Sequence, residues 1–240
     1  MAQNLGILFL HHDTGEVARN NLASVRRQNP KAQVVTMSAG EPFPAGYSLE
    51  ATPELRPYHS ANVRTNADWL VCSWFRQRRE QADKWWIIEW DVFCTMPVKE
   101  YYRPVWDYPF IASEIRLHHR NPNWHWFRRL KKTPPEYRNH AAGAVPFLYL
   151  MSDAALTYVC SALLDQPVTA GNCELRFATL ATMGGFAPCG FSPPGDQIGW
   201  IPLRTLNGAK GIFHPVKFLV DHEKHQAGGR TEQQGVPRAQ

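Results

Sequence analysis

The chain is 240 residues long, 44% hydrophobic and 20% charged, which excludes a disordered polymer and leaves room for one large domain or two small ones. Its net charge of +5 and pI near 9.0 admit anionic partners but are too mild to establish nucleic-acid binding. No apolar run reaches the ~20 residues of a membrane helix, and the opening "MAQNLGILFLHH" lacks the positive flank and length of a secretion signal. The five cysteines (72, 94, 160, 173, 189) form no CxxC pair. They read as free thiols in a reducing compartment, so a cytoplasmic location is expected and zinc is not.

In chain order, "LGILFLHH" is a continuous apolar strand of the buried, parallel type. "DTGEVARNNLASVRRQNP" is a helix started by Asp13 or Thr14, with Val17, Leu22 and Val25 as its apolar stripe and Asn29-Pro30 as its end. "AQVVTMS" is a second strand, and "AGEPFPAGYSLEATPELRP" is turn-rich. "ADWLVCSWFRQRREQ" is a helix with Trp69, Cys72, Trp74 and Phe75 on its apolar side, and "KWWIIEWDVF" is a third strand. Strands alternating with helices predict βαβ units and a mostly parallel sheet flanked by helices, with ligands at the carboxyl ends of the strands. Beyond Pro97 the reading is a short strand in "PFIASEI", a basic and aromatic stretch over 116–132, and a strand in "AVPFLYL". Two helices follow: "SDAALTYVCSALLD", capped by Ser152 and Asp153, and "ELRFATLATMGG", ended by glycines. No linker or repeat divides the chain. One α/β domain is expected over 1–224, its halves meeting near 97, with a disordered polar tail over 225–240.

Glu89 and Asp91 interrupt the apolar run at 84–97, where an ionised carboxylate is costly to bury without a partner. Positions i and i+2 of a strand share a face, so both acids converge on one hard divalent ion if the strand persists that far. The alternative is pairing with Arg or Lys at a strand end. Late in the chain, "GIFHPVK" (211–217) supplies His214, able to complete a metal shell, and Lys217, able to meet phosphate. A lone histidine is otherwise a hydrogen-bonded structural residue.

This order of features resembles the GT-A fold glycosyltransferases, which use nucleotide-diphosphate sugars: "EWD" resembles their DXD motif, "FHPVK" their late histidine, and "NNLASVRRQNP" the LxSLxxQ helix after their first strand. The resemblance spans roughly residues 5–220 and implies a Rossmann-like GT-A domain with its nucleotide-binding half at 1–97 and its acceptor half at 98–224. It implies Mn²⁺ or Mg²⁺ held by Asp91 and His214. Glu89 departs from the usual Asp and serves either the metal or the ribose and sugar hydroxyls. Lys217 is expected on the diphosphate, Asp13 on the base or ribose (or only as a helix cap), and Asn66, Asp68 and Arg64 at the donor. Gly143 is expected where only a small residue lets backbone approach the sugars, or as a plain turn. Glu174, at the start of a late helix, is the candidate base of an inverting reaction, with first-turn stabilisation by the helix dipole as the alternative and Asp153 and Asp196 as rivals.

The implied partners are a nucleotide-diphosphate sugar, UDP being the family's commonest, and a glycan or lipid-linked acceptor. The stretch 116–132 is either a solvated loop or a platform. As a platform its Trp124, Trp126 and Phe127 stack on sugars, while Arg128, Arg129, Lys131 and Lys132 approach an anionic acceptor or the inner face of a membrane. Two other classes compete. A nucleotidyltransferase of related fold needs a Gly-rich loop after the first strand, and "HHDTGEVARN" offers only Gly15. A non-catalytic carbohydrate- or nucleic-acid-binding protein leaves Glu89, Asp91 and His214 unexplained.

Overall fold

The structure is a computed structural model that describes residues 4–12, 14–38, 40, 42–48, 67–78, 80–133, 135–144, 148–166, 171–186, 188–193, 195, 197–206 and 208–226. Its strands are β1 (Leu5–His11), β2 (Gln33–Ser38), β3 (Tyr47–Ser48), β4 (Lys84–Glu89), β5 (Phe93–Cys94), β6 (Phe110–Ala112), β7 (Arg116–Leu117), β8 (Ala142–Gly143), β9 (Tyr149–Ser152), β10 (Cys189–Gly190) and β11 (Ile212–Phe213). Its α-helices are α1 (Glu16–Gln28), α2 (Ala67–Gln77), α3 (Val98–Tyr101), α4 (Pro135–Asn139), α5 (Asp153–Asp165), α6 (Cys173–Met183) and α7 (His222–Gln226).

Seven strands form one sheet in the order β10-β6-β9-β4-β1-β2-β3. Only β9 runs against its neighbours β4 and β6, and the other pairs are parallel. Strands from both halves of the chain therefore build the same sheet. Two small antiparallel ribbons, β5–β11 and β7–β8, lie outside it.

The near-continuous apolar strands are buried on both faces, as a parallel sheet requires. Alternation divides them cleanly. Leu8, Leu10, Trp85, Ile87, Tyr149 and Met151 face one core with α2, α5 and α6. Ile7, Phe9, Trp86, Ile88 and Leu150 face the other with α1, α3 and Trp106. Each such side chain contributes about 1.5–3 kcal/mol by leaving water.

Three local expectations change. The α1 N-cap is Gly15 and carries no side-chain cap, while the Thr14 carbonyl accepts from Arg19 Nε at 2.6 Å. Ser152 does cap α5, its Oγ accepting from the Ala155 N–H at 3.2 Å. β4 ends at Glu89, and Trp90 and Asp91 form a turn closed by the Val92 N–H on the Glu89 carbonyl at 3.2 Å. Order also continues past 225: His222–Gln226 is helical and His225 is buried beside the Ala209 carbonyl. Residues 227–240 lie outside the described residues.

Candidate functional site

The turn after β4 sits at the carboxyl end of the sheet, where ligands of such folds gather. Two constraints bring the late histidine to it. Ile212 and Phe213 of β11 pair with Cys94 and Phe93 of β5, and the Val216 N–H then donates to the Asp91 carbonyl at 2.7 Å. Asn21, fully buried on α1, donates its amide to the carbonyls of Trp90 at 3.1 Å and Val216 at 3.0 Å, clamping both segments together. Asn20 exchanges two hydrogen bonds with the Val220 backbone, extending the grip. Neither asparagine stood out in the sequence. Their signal was polar residues placed beside an apolar helical stripe.

The outcome is a cluster in which Glu89, Asp91 and His214 each offer one ligand atom, all within 4.8 Å of one another. His214 Nε2 lies 3.2 Å from Asp91 Oδ1 and 3.6 Å from Glu89 Oε2. Lys217 Nζ lies 3.6 Å from Asp91 Oδ2 and sits over the Trp90 ring. The strand does not carry Asp91 onto the face of Glu89. The turn does that instead.

The donor set fits a divalent cation on its own chemistry. His214 Nδ1 is 3.1 Å from the Gly199 carbonyl, which only accepts, so that nitrogen carries the hydrogen. Nε2 of a neutral ring then aims a lone pair at two carboxylates, an arrangement that is repulsive until a proton or a metal stands between them. Asp91 Oδ1, buried, has the approach distance to Nε2 but no aligned hydrogen bond. Without a metal the proton wins. Burial pulls the His214 pKa down, but the Asp91 and Glu89 carboxylates outweigh it and lift it to about 9. The same imidazolium and Lys217 hold Asp91 below the usual carboxylate range against the burial that raises it.

Metal affinity therefore depends on pH. His214 must lose its proton to become a ligand, so apparent Mn²⁺ affinity is expected to rise with pH up to about 9, by up to about tenfold per unit. Titration at neutral pH in buffers of different ionisation enthalpy is expected to show about one proton released. His214→Ala is expected to remove that release and weaken binding with the fold intact. Proton release that is the same in wild type and variant contradicts the assignment.

Glu174 opens α6 and is 8% exposed. Burial raises its pKa to about 7, with Glu89 and Asp68 adding to the rise against its own backbone N–H and the Cys173 thiol. Its neighbour Arg176 is fully buried and holds Asp68 by two bonds, Nε to Oδ2 at 2.5 Å and Nη2 to Oδ1 at 2.7 Å. Both oxygens of Asp68 are thus committed, and Asp68 is 0% exposed. This takes it out of direct donor contact and makes it the anchor of the helix that carries Glu174.

Other expected site residues fall elsewhere. Gly143 is buried on β8, and the space a Cβ would need there is filled by the Trp124 ring. The glycine's small size makes room for the Trp124 indole. Asp153 accepts from Arg78 and from Trp85 Nε1 at the amino end of β4. That places it a whole strand, roughly 20 Å, from Glu89, too far to serve as base. In the 116–132 stretch Phe127 is buried, Trp126 lies under the Arg129 guanidinium, and Trp124 is half-buried. Asp13, Arg64, Asn66 and Asp196 lie outside the described residues, as do the side chains of Lys131 and Lys132. Among the described residues no helix is long and apolar enough to cross a membrane.

No protein-family model and no curated protein matches the sequence. Solved structures do resemble the fold. The galactosyltransferase LgtC in complex with donor and acceptor sugar analogs is 12% identical, with 77% of this chain and 73% of that one covered at a TM-score of 0.42. Mouse xyloside xylosyltransferase 1, in its apo form, is 11% identical over 79% of this chain and 84% of that one, TM-score 0.40. The apo glycosyltransferase GlyE of Streptococcus pneumoniae TIGR4 is 9% identical over 78% of this chain and 45% of that one, TM-score 0.37.

Proposed function

We propose that the chain is a metal-dependent glycosyltransferase that moves a sugar from a nucleotide-diphosphate donor, UDP-linked, to a hydroxyl of a glycan or lipid-linked acceptor. The observation that carries the reading is the meeting of Glu89, Asp91 and His214 at the carboxyl end of β4, with Lys217 beside Asp91. This is the group that the resemblance to GT-A fold glycosyltransferases implies for diphosphate-sugar chemistry. A divalent cation held there, Mn²⁺ better suited than Mg²⁺ to an imidazole ligand, supplies charge against the departing diphosphate.

The chain's own residues supply the rest. Lys217, half-exposed at the rim, donates to the outer phosphate oxygens. Glu174 accepts the proton of the acceptor hydroxyl as its oxygen bonds to the anomeric carbon and the bond to the diphosphate oxygen breaks. Direct displacement inverts the anomeric centre. The low exposure of Glu174 keeps bulk water from competing as acceptor.

Isothermal titration of UDP with and without Mn²⁺ tests the reading: binding only with metal supports it, and metal-independent binding or none contradicts it. For the base, Glu174→Gln is expected to lower turnover by about a hundredfold while leaving donor affinity alone. Glu174 is protonated below its pKa of about 7 and unable to accept a proton, so turnover is expected to rise with pH through that value. The Gln variant is expected to lose this acid limb. An acid limb that survives in the variant removes Glu174 from the role.

A further inference from the structure

Resting on the glycosyl-transfer reading, we infer that the cleft beside the β7–β8 ribbon is the acceptor subsite and that it selects an anionic sugar, one bearing a carboxylate or a phosphate. The cleft, of about 330 Å³, is lined by Arg116, Arg120, Asn121, Pro122, Asn123 and Trp124. That volume lies at the lower end for small-molecule sites and suits one sugar ring.

Its walls are fixed. Arg116 stands opposite Gly143 across the antiparallel pair, and the Trp124 ring fills the space left open by that same glycine. The turn between them is closed by the N–H groups of Arg120 and Asn121 on the Leu117 carbonyl, at 3.0 and 2.8 Å, and by Trp124 on Asn121 at 3.0 Å. Trp124 is further held edge-on against Phe127. A half-exposed indole beside the Asn121 and Asn123 side chains offers a surface on which a pyranose face can stack.

The charge is unbalanced. Arg116 Nε is buried and makes no hydrogen bond among the described residues. Its Nη2 meets Glu114 at 3.2 Å, in a pair about half exposed on both sides and of little energetic weight. Arg120 is exposed and has no acidic partner among the described residues. Two guanidinium groups lining one cleft match the oxygens of one carboxylate or phosphate. The ribbon that bears the cleft also packs on the helix of the proposed base: the Leu175 side chain lies against position 143, and the Ala144 N–H donates to the Glu174 carbonyl at 3.2 Å. A ligand anchored by the arginines therefore lies on the ribbon whose other strand packs against the start of α6.

The test is equilibrium binding to the full chain, with methyl glucuronide, glucose 6-phosphate and methyl glucoside as carboxylate, phosphate and neutral probes, and UDP with Mn²⁺ as a separate arm. Expected is binding of at least one anionic probe about tenfold tighter than the glucoside. The tighter of the two anions identifies the source. Arg116→Gln and Arg120→Gln are each expected to weaken that binding by about tenfold and to leave UDP with Mn²⁺ unchanged. Equal binding of all three sugars, or no effect of either substitution, overturns the inference. So does binding of oligonucleotides or anionic vesicles at the arginines in place of the sugars. If an anionic probe binds but UDP with Mn²⁺ does not, the transferase reading and the acceptor role fall together, and the anionic-sugar site stands.

Discussion

Replacing Asp91 by asparagine is expected to abolish metal-dependent nucleotide binding, by about a thousandfold or more, without unfolding the chain. Asp91 is 5% exposed, its Oδ1 facing His214 Nε2 and its Oδ2 facing Lys217. Asparagine keeps the shape but removes the charge that a divalent ion needs at the centre of the cluster. Losing that charge at a buried site forfeits several kcal/mol of binding. Glu89→Gln is expected to do less, because Glu89 is one-third exposed and lies farther from the imidazole, at 3.6 Å. Isothermal titration of UDP with Mn²⁺ reads the difference, and circular dichroism checks the fold. An Asp91→Asn chain that binds as tightly as the original places the metal somewhere else.

The second large effect is on stability. Asp68→Ala is expected to cost about 3–5 kcal/mol of unfolding free energy, because it strands the Arg176 guanidinium in the core. Arg176 is 0% exposed, and neutral contacts such as the Gly171 carbonyl at 3.3 Å do not replace a carboxylate's charge. The cost is mostly the penalty of a buried charge that has lost its counter-charge. Asp68→Leu combined with Arg176→Met is therefore expected to recover most of it, since apolar replacement of a whole buried pair is often neutral. Because α6 also carries Glu174, the single variant is expected to lose activity along with stability. Urea denaturation of the three chains measures the pattern. A single-variant cost below about 1 kcal/mol, the level of an exposed pair, contradicts the role given to Asp68.

Much of the fold was legible because burial writes itself into long elements. The apolar runs of β1, β2 and β4 and the punctuation by Asn29-Pro30 and Gly184 locate the sheet and two of its helices. The strands β3, β7, β8 and β10 have only two residues each, too few for any alternation to show. At the site, the residue types in "EWD" and "FHPVK" were readable, but not the way they meet. The chain leaves the strand at Glu89, and a turn locked by Asn21 does the aiming. Asp68 and Arg176 are 108 positions apart. Nothing local in "NADWL" or "CELRF" tells that the two charges neutralise each other. Gly143 was singled out for its small size as a place where backbone approaches the sugars, and the group packed on it is the Trp124 indole, from an earlier loop.

The most direct test of the central claim is anomalous diffraction from crystals soaked with Mn²⁺ and UDP. The predicted result is a single manganese peak beside Asp91 and His214, with the diphosphate of UDP next to it. A bound UDP with no manganese beside Asp91, or a manganese peak held by other residues, contradicts it.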